Sequence, residues 1–283
     1  MNILIALIPA IGWGIQPLIL KKIGGRPVNE ILGTGIGTLL VGLVVYFFFT
    51  DQSLSLGTFM LAMASGAFWV IGQTGQYMAF NLLGVSRTMP ISTGLQLVGT
   101  SLIGMLLFNE WAGTTSRIIG FGAIILLIIG AALTAVTEDS SNKSGLSKGL
   151  IILATTSVGY WVYSALPKLV DASGAAIFFP QMLGVFAAAL IYVLFKQPTA
   201  LKSDKSYKAV IVGIIFSISA FAYIFSAQGN GVATAYVITQ LNVVISTLGG
   251  MFILKEKKTP KELRFTLIGL TLIVVGSIIT TFL

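Results

Sequence analysis

The sequence predicts an all-α integral membrane protein in which ten transmembrane helices form two inverted five-helix repeats. Three observations predict it. Of the 283 residues, 55% are hydrophobic and 9% charged, and the mean hydropathy is +0.95. A soluble domain carries about 25% charged residues, so the solvent for this much apolar surface is lipid. Next, the chain is a succession of apolar runs separated by short polar turns, each run near the ~20 residues needed to cross hydrocarbon. Finally, one phrase is written twice. "TGLQLVGTSLIGMLLFNE" runs from Thr93 to Glu110 and "TQLNVVISTLGGMFILKE" from Thr239 to Glu256, and 239 − 93 = 256 − 110 = 146.

The spans are expected near residues 2–20, 28–49, 56–82, 88–108, 117–137, 148–166, 174–195, 208–228, 231–254 and 263–282. The first lacks a basic start and a small-residue cleavage site, so it reads as a span rather than a signal peptide. It carries Trp13 and Gln16 near its middle. The second has Glu30 just inside it, the one carboxylate within these span boundaries. The third offers Trp69, Gln73 and Gln76, and the fourth Thr93 and Gln96. The fifth continues the repeat, since Gly130 matches Gly276 and Thr134 matches Thr280, both at 146. The sixth, "GYWVYSALPK" (Gly159–Lys168), resembles "GWGIQPLILK" (Gly12–Lys21) of the first at a shift of 147. It offers Tyr160, Trp161 and Tyr163. The seventh has Gln181 nearer its outer end, the eighth Ser217, Ser219 and Tyr223, and the ninth Thr239, Gln240 and Asn242. The tenth closes the second half.

The chain therefore divides into residues 1–137, a linker at 138–147 and residues 148–283. Five spans is an odd number, so the second half enters the membrane inverted, a device of secondary transporters that places substrate at mid-depth between the halves. Ten spans put both termini on one side. Of the 17 basic residues, all but Arg117 and Lys168 fall in loops after odd-numbered spans, which makes those loops and the linker cytoplasmic and both termini extracellular. The basic excess thus reads as membrane anchoring, not as a nucleic-acid surface, and "KEKKTPKELR" as a solvated anchor.

Polar groups at mid-depth are costly unless paired or facing a wet cavity. Trp13, Gln16, Trp69, Gln73, Thr93, Gln96, Tyr160, Trp161, Tyr223, Gln240 and Asn242 are the candidate substrate-binding residues. Amides donate and accept hydrogen bonds, as sugar hydroxyls do, and flat rings suit the apolar face of a pyranose. Gln96 and Asn242 are one position in the two halves (96 + 146 = 242) and would face each other. A cavity without fixed charge fits a neutral polyhydroxy solute. Phosphate would want Arg or Lys at depth, and a cationic drug a buried carboxylate. The absence of His and Cys, and of paired acids at one depth, removes the usual tools of an enzyme, and no metal site or cofactor is expected.

Other residues read as structural. Trp111 and Tyr46 are expected in the interfacial belt. Gly33, Gly37, Gly249 and Gly250 allow close helix contact. Pro9, Pro17, Pro90 and Pro180 bend their helices, as hinges or to shape the cavity. Glu110 and Glu256 are expected in polar turns, each pairing with a base or capping the next helix.

Five plus five spans, with a Glu closing the fourth and ninth, resembles the drug/metabolite transporter superfamily. "IGWGIQP", "GGRPVNEILGT", "SRTMPISTGLQLVGTSL", "GYWVYSALP" and "TQLNVVISTLGGMFILKE" resemble the bacterial glucose/ribose uptake family of sugar permeases within it, over essentially the whole chain. The resemblance implies import of glucose or ribose across the bacterial cell membrane, driven by protons, and does not tell one sugar from the other. No acid lies at mid-depth, which leaves Glu30 as the candidate proton carrier and keeps an uncoupled facilitator open. An exporter of small metabolites or drugs, common in the wider superfamily, is the alternative.

Overall fold

In hydrocarbon no water pairs with backbone N–H and C=O groups, so each apolar run must satisfy its own and becomes a helix. A computed structural model of the chain describes residues 2–50, 52–111, 113–138 and 143–283. Its helices are α1 (Asn2–Ile23), α2 (Pro27–Phe49), α3 (Leu56–Leu83), α4 (Val85–Leu107), α5 (Thr114–Thr134), α6 (Lys143–Ala165), α7 (Gly174–Lys196), α8 (Asp204–Lys208), α9 (Val210–Asn230), α10 (Val232–Thr239), α11 (Leu241–Phe252) and α12 (Pro260–Thr281). Among the described residues, ten segments are long and apolar enough to cross a membrane; α8 with α9 makes one, and α10 with α11 another.

Local chemistry sets several starts. Ser55 accepts from Thr58 N at 3.1 Å to open α3, and Ser173 from Ala176 N at 3.2 Å to open α7. Thr259 and Glu262 exchange bonds as a reciprocal capping box at α12. The expected spans match these helices to within about three residues at most ends, and the differences at the fourth, fifth, sixth and ninth bear on the fold. The fourth begins at Val85 rather than 88, directly after Gly84. The fifth ends at Thr134 rather than 137. The sixth starts at Lys143, inside the expected linker, whose residues 139–142 lie outside the described ones.

The ninth span, expected to be continuous, breaks at Gln240. The cause is local. Thr239 Oγ1 donates to Tyr236 O, and Asn242 Nδ2 donates to Thr239 O, both at 2.6 Å. These are the carbonyls that Gln240 N and Val243 N would use in a continuous α-helix. Those two N–H groups bond instead to Val237 O (3.1 Å) and Gln240 O (3.2 Å), three residues back, which tightens the helix and turns it.

The helices pair in a regular scheme. α3 packs on α6 and α1 on α9; α3 packs on α7 and α2 on α9. α2 crosses α7, α5 crosses α12, and α4 meets α11. Small residues permit close approach at several of these contacts. A side chain at Gly37 would strike the α9 backbone at Gly213, and one at Gly213 would strike Gly37. The outer surface carries exposed apolar side chains, among them Phe47, Phe48, Leu106, Leu107, Phe195 and Phe252, as a lipid-facing surface requires. Tyr46 is half exposed there against Phe47 and Phe179. Trp111 departs from the belt expectation: it is buried, its ring lying where a side chain on Gly120 would sit.

Candidate functional site

Between the helices lies a cavity of about 870 Å³, within the range of small-ligand sites. Its lining runs from Pro17, Phe80 and Met89 to Glu110, Lys168, Gly174 and Thr281 at the end holding the 108–113 and 166–173 loops. The cavity opens there. None of its lining residues belongs to the loops at the other end, where side chains interlock. Lys21 Nζ donates to Asn81 Oδ1 at 2.6 Å, Asn29 Nδ2 to Ser206 Oγ at 3.0 Å, and Arg87 pairs with Glu262 at 3.5 Å.

Ten of the eleven candidate residues line this cavity. α1 contributes Trp13 and Gln16, α3 Trp69 and Gln73, and α4 Thr93 and Gln96. Tyr160 comes from α6, Tyr223 from α9, and Gln240 with Asn242 from the broken ninth span. The eleventh, Trp161, points elsewhere. Its indole fills the space beside Gly99, and its Nε1 donates to Leu95 O at 3.0 Å. It is one residue past Tyr160, so on a helix the two cannot share a face.

The aromatic rings form a continuous wall. Trp69 lies 4.6 Å from Phe216 and 6.5 Å from Tyr160, and Trp13 lies 6.3 Å from Phe216 and 6.2 Å from Tyr223. Trp13 Nε1 donates to Phe216 O at 3.3 Å, which fixes its ring plane.

The amides form a relay. Tyr160 Oη donates to Gln73 Oε1 (2.8 Å), Gln73 Nε2 to Gln76 Oε1 (3.1 Å), and Gln76 Nε2 to Ser92 Oγ (2.8 Å). Gln96 Nε2 also donates to Ser92 Oγ at 3.2 Å. Gln96 and Asn242 are thus each bonded within their own span rather than to each other. Two amide atoms stand outside the relay. Gln16 Nε2 and Gln240 Oε1 are buried without a hydrogen-bond partner, one a donor and the other an acceptor.

The cavity holds residues that the sequence reading left out of its candidate set. Gln76, Tyr163 and Thr239 read in the sequence only as polar groups near mid-span, and Gln181 as one nearer the outer end; all four line the cavity. Tyr77 and Tyr236 were not noted. Their signal was available, since Tyr77 lies four residues from Gln73, and Tyr236 four from Gln240, the spacing of one helix face.

Charge is confined to the rim, where Lys168 Nζ pairs with Glu110 Oε1 and lies 5.2 Å from the Phe108 ring centroid. Glu256 departs from expectation. It caps not the next helix but the distant α4, accepting from Val85 N at 2.6 Å and Ser86 N at 2.8 Å. The "KEKKTPKELR" stretch is not wholly solvated either. Glu262 is buried, and Lys258 Nζ is buried without a partner. Burial, and next the nearby Arg87 guanidinium, push the Lys258 ammonium down to about 8.

Glu30 is fully buried in α2, outside the cavity, with Oε2 unpartnered. Thr34 Oγ1 donates to its carbonyl at 2.8 Å and contacts Tyr77 Oη at 2.9 Å. Tyr77 thus stands between the cavity floor and the Glu30 turn. No group of three or more potential metal-binding side chains occurs among the described residues.

The profile of the family described as "Sugar transport protein" matches residues 4–283. A Lactobacillus helveticus protein named "Putative sugar uptake protein" is 45% identical, covering 99% of this chain and 100% of its own length. A Latilactobacillus sakei protein named "Putative ribose uptake protein RbsU" is 44% identical, covering 100% of this chain and 98% of its own length. A crystal structure superposes with a TM-score of 0.66 over 99% of this chain and 97% of the other, at 15% identity, a likeness of fold alone.

Proposed function

Because the chain belongs to the sugar transport protein family, we propose that it is a secondary transporter importing a neutral monosaccharide, glucose or ribose, by alternating access. It is a transporter and not an enzyme. The observation that carries the proposal is the cavity's chemistry. Amides, hydroxyls and aromatic rings line its depth, charge stays at the rim, and Gln16 Nε2 and Gln240 Oε1 lack partners inside the protein. A sugar hydroxyl donates and accepts, so one ring can satisfy both atoms while stacking on the aromatic wall.

Alternating access is supported by the way the helices pair. Advancing each span by five turns the pairing of the third and sixth spans into that of the eighth and first, and of the third and seventh into the eighth and second. The fifth and tenth spans map onto each other, as do the second and seventh. Two inverted halves, residues 1–137 and 148–283, would pack in this way. The broken ninth span at the cavity also fits, since unwound helices line substrate sites in transporters of inverted design. We place the protein in the bacterial cell membrane, its cavity open to the outside.

Proton coupling is the finer reading. Glu30 is the candidate carrier, because it is buried, carries an unpartnered carboxylate oxygen and adjoins Tyr77 of the cavity floor through Thr34. Counterflow of radiolabelled glucose and ribose in proteoliposomes, with and without an imposed pH gradient, tests the whole reading. Exchange of either sugar is expected, with accumulation only under the gradient. Exchange without accumulation identifies a facilitator, and no exchange of either sugar overturns the proposal.

A further inference from the structure

Residues 104–110 and 250–256 build one turn twice. Glu110 N donates to Gly104 O at 3.1 Å, and Glu256 N donates to Gly250 O at 3.1 Å. The residue before each Glu has left-handed backbone, Asn109 at φ 51° and Lys255 at φ 58°. Among the described residues these are the only non-glycines with positive φ, a conformation costly enough to mark a purpose. Each pair is one position of the repeat, since 104 + 146 = 250, 109 + 146 = 255 and 110 + 146 = 256. The helix starts correspond as well. Gly84 (φ 78°) precedes α4 and Gly231 (φ 81°) precedes α10, at a shift of 147.

The two copies differ in what they hold. At the closed end the Glu256 carboxylate accepts two N–H bonds from the start of α4 and occupies the space a Gly84 side chain would need, 2.8 Å from that position. At the open end Glu110 is turned to Lys168, and among the described residues no side chain or backbone beyond Gly231's own neighbours lies within 4 Å of the corresponding position. A carboxylate on a helix N-terminus is a strong contact, combining charge-assisted bonds with a favourable dipole. One end is latched and one is not, and the latched end is where the cavity is shut.

We propose that Glu110 and Glu256 are alternating latches. When the cavity opens at the other end, Glu256 releases Val85 and Ser86. Glu110 then leaves Lys168 and accepts the backbone N–H groups at the start of α10, shutting the mouth. Lys168 is the holding partner that keeps Glu110 off α10 in the open state. This inference rests on the alternating-access reading.

The test uses two reporters and the fact that the chain has no Cys. Thr134 and Thr280 are equivalent by the repeat; Thr280 lines the open cavity, and Thr134 is 0% exposed. Cys placed singly at each, in protein held in nanodiscs, is labelled with a water-soluble maleimide. The ratio of the two rates, Thr134→Cys over Thr280→Cys, reads the balance of the two states. Losing a helix cap shifts such a balance roughly 5- to 30-fold. Glu256→Ala is expected to raise the ratio by that amount and Glu110→Ala to lower it. Lys168→Gln is expected to raise it, because Glu110 is set free to latch. Glu110→Gln, which keeps an acceptor, should fall between Glu110→Ala and the parent. If Glu110 serves only the Lys168 ion pair, Glu110→Ala and Lys168→Gln move the ratio in the same direction, and the latch is overturned. A silent Glu110→Ala beside a responsive Glu256→Ala overturns the latch alone. If no variant moves the ratio, alternating access itself falls and the latch with it.

Discussion

Nε2 of Gln16 and Oε1 of Gln240 make no internal hydrogen bond, and the side chains lie beside Tyr77 and Tyr236, which line the same cavity, so truncating either removes no bond between helices at those two atoms. A bound sugar would lose one hydrogen bond with each and keep an unpaired hydroxyl. Gln16→Ala and Gln240→Ala are each expected to weaken sugar binding by about 5- to 150-fold, the equivalent of ~1–3 kcal/mol, at near-parental thermal stability. Binding on purified, monodisperse variants checks this; a loss of stability at unchanged affinity would make both amides structural. Ten of the eleven candidates line the cavity, and they were legible because a polar residue in the middle of an apolar span has few uses. What was not legible is direction. Trp161 and Tyr160 look alike on paper, and only the fit of an indole beside Gly99 decides that Trp161 faces its neighbour helix. Trp111 was misread for a similar reason, since the ring is drawn inward by the space over Gly120.

Span number and length were legible at the level of elements, because hydropathy is a property of consecutive residues. The break in the ninth span was not, because no Pro or Gly marks it. It arises from Thr239 and Asn242 taking backbone carbonyls that the helix would use. Asn242→Leu is expected to return Thr239 O to Val243 N and straighten the span. Amide hydrogen exchange at residues 240–243 should slow by about 2- to 12-fold, the worth of one hydrogen bond, and sugar uptake should fall. Faster exchange there would mean that Asn242 stabilises the segment rather than diverting it. The connection between α11 and α12 gives a pH prediction. Lys258 sits at about 8 against an ordinary 10.5, first through burial and next through Arg87. Below pH 8 the folded protein bears a buried ammonium. Between about 8 and 10.5 the folded state has shed that proton and the unfolded chain has not, so stability rises with pH across this window. Thermal unfolding of the parent should show that rise, and Lys258→Met should lack it. An identical pH profile for the two would place the Lys258 ammonium in water. In the sequence the whole stretch reads as a solvated anchor, because the charged groups near Lys258 include Arg87 and Glu262, which come from separate helices.

Sidedness belongs to the whole molecule, and two independent features bear on it. Basic residues cluster in the loops after odd-numbered spans, and by the positive-inside rule that end is expected to be cytoplasmic. The same end is where the structure is shut, by Lys21 with Asn81, Arg87 with Glu262, and Glu256 on α4. The mouth lies at the opposite end with Lys168, and Arg117 sits in the same region, its Nε donating to Trp111 O. Charge bias governs how a chain inserts, whereas cavity opening reports which state the folded bundle adopts, so neither implies the other. Together they support the proposed reading, in which the cavity opens to the outside and the basic end is the shut one. Cys introduced singly at Ser53, between α2 and α3, should react with an impermeant maleimide added to intact cells. Cys at Ser203, between α7 and α8, should react only after permeabilisation. The reverse pattern would turn the mouth toward the cytoplasm. The latch at Glu256 would then hold the outer gate, and the resting state would be the one that releases substrate inside.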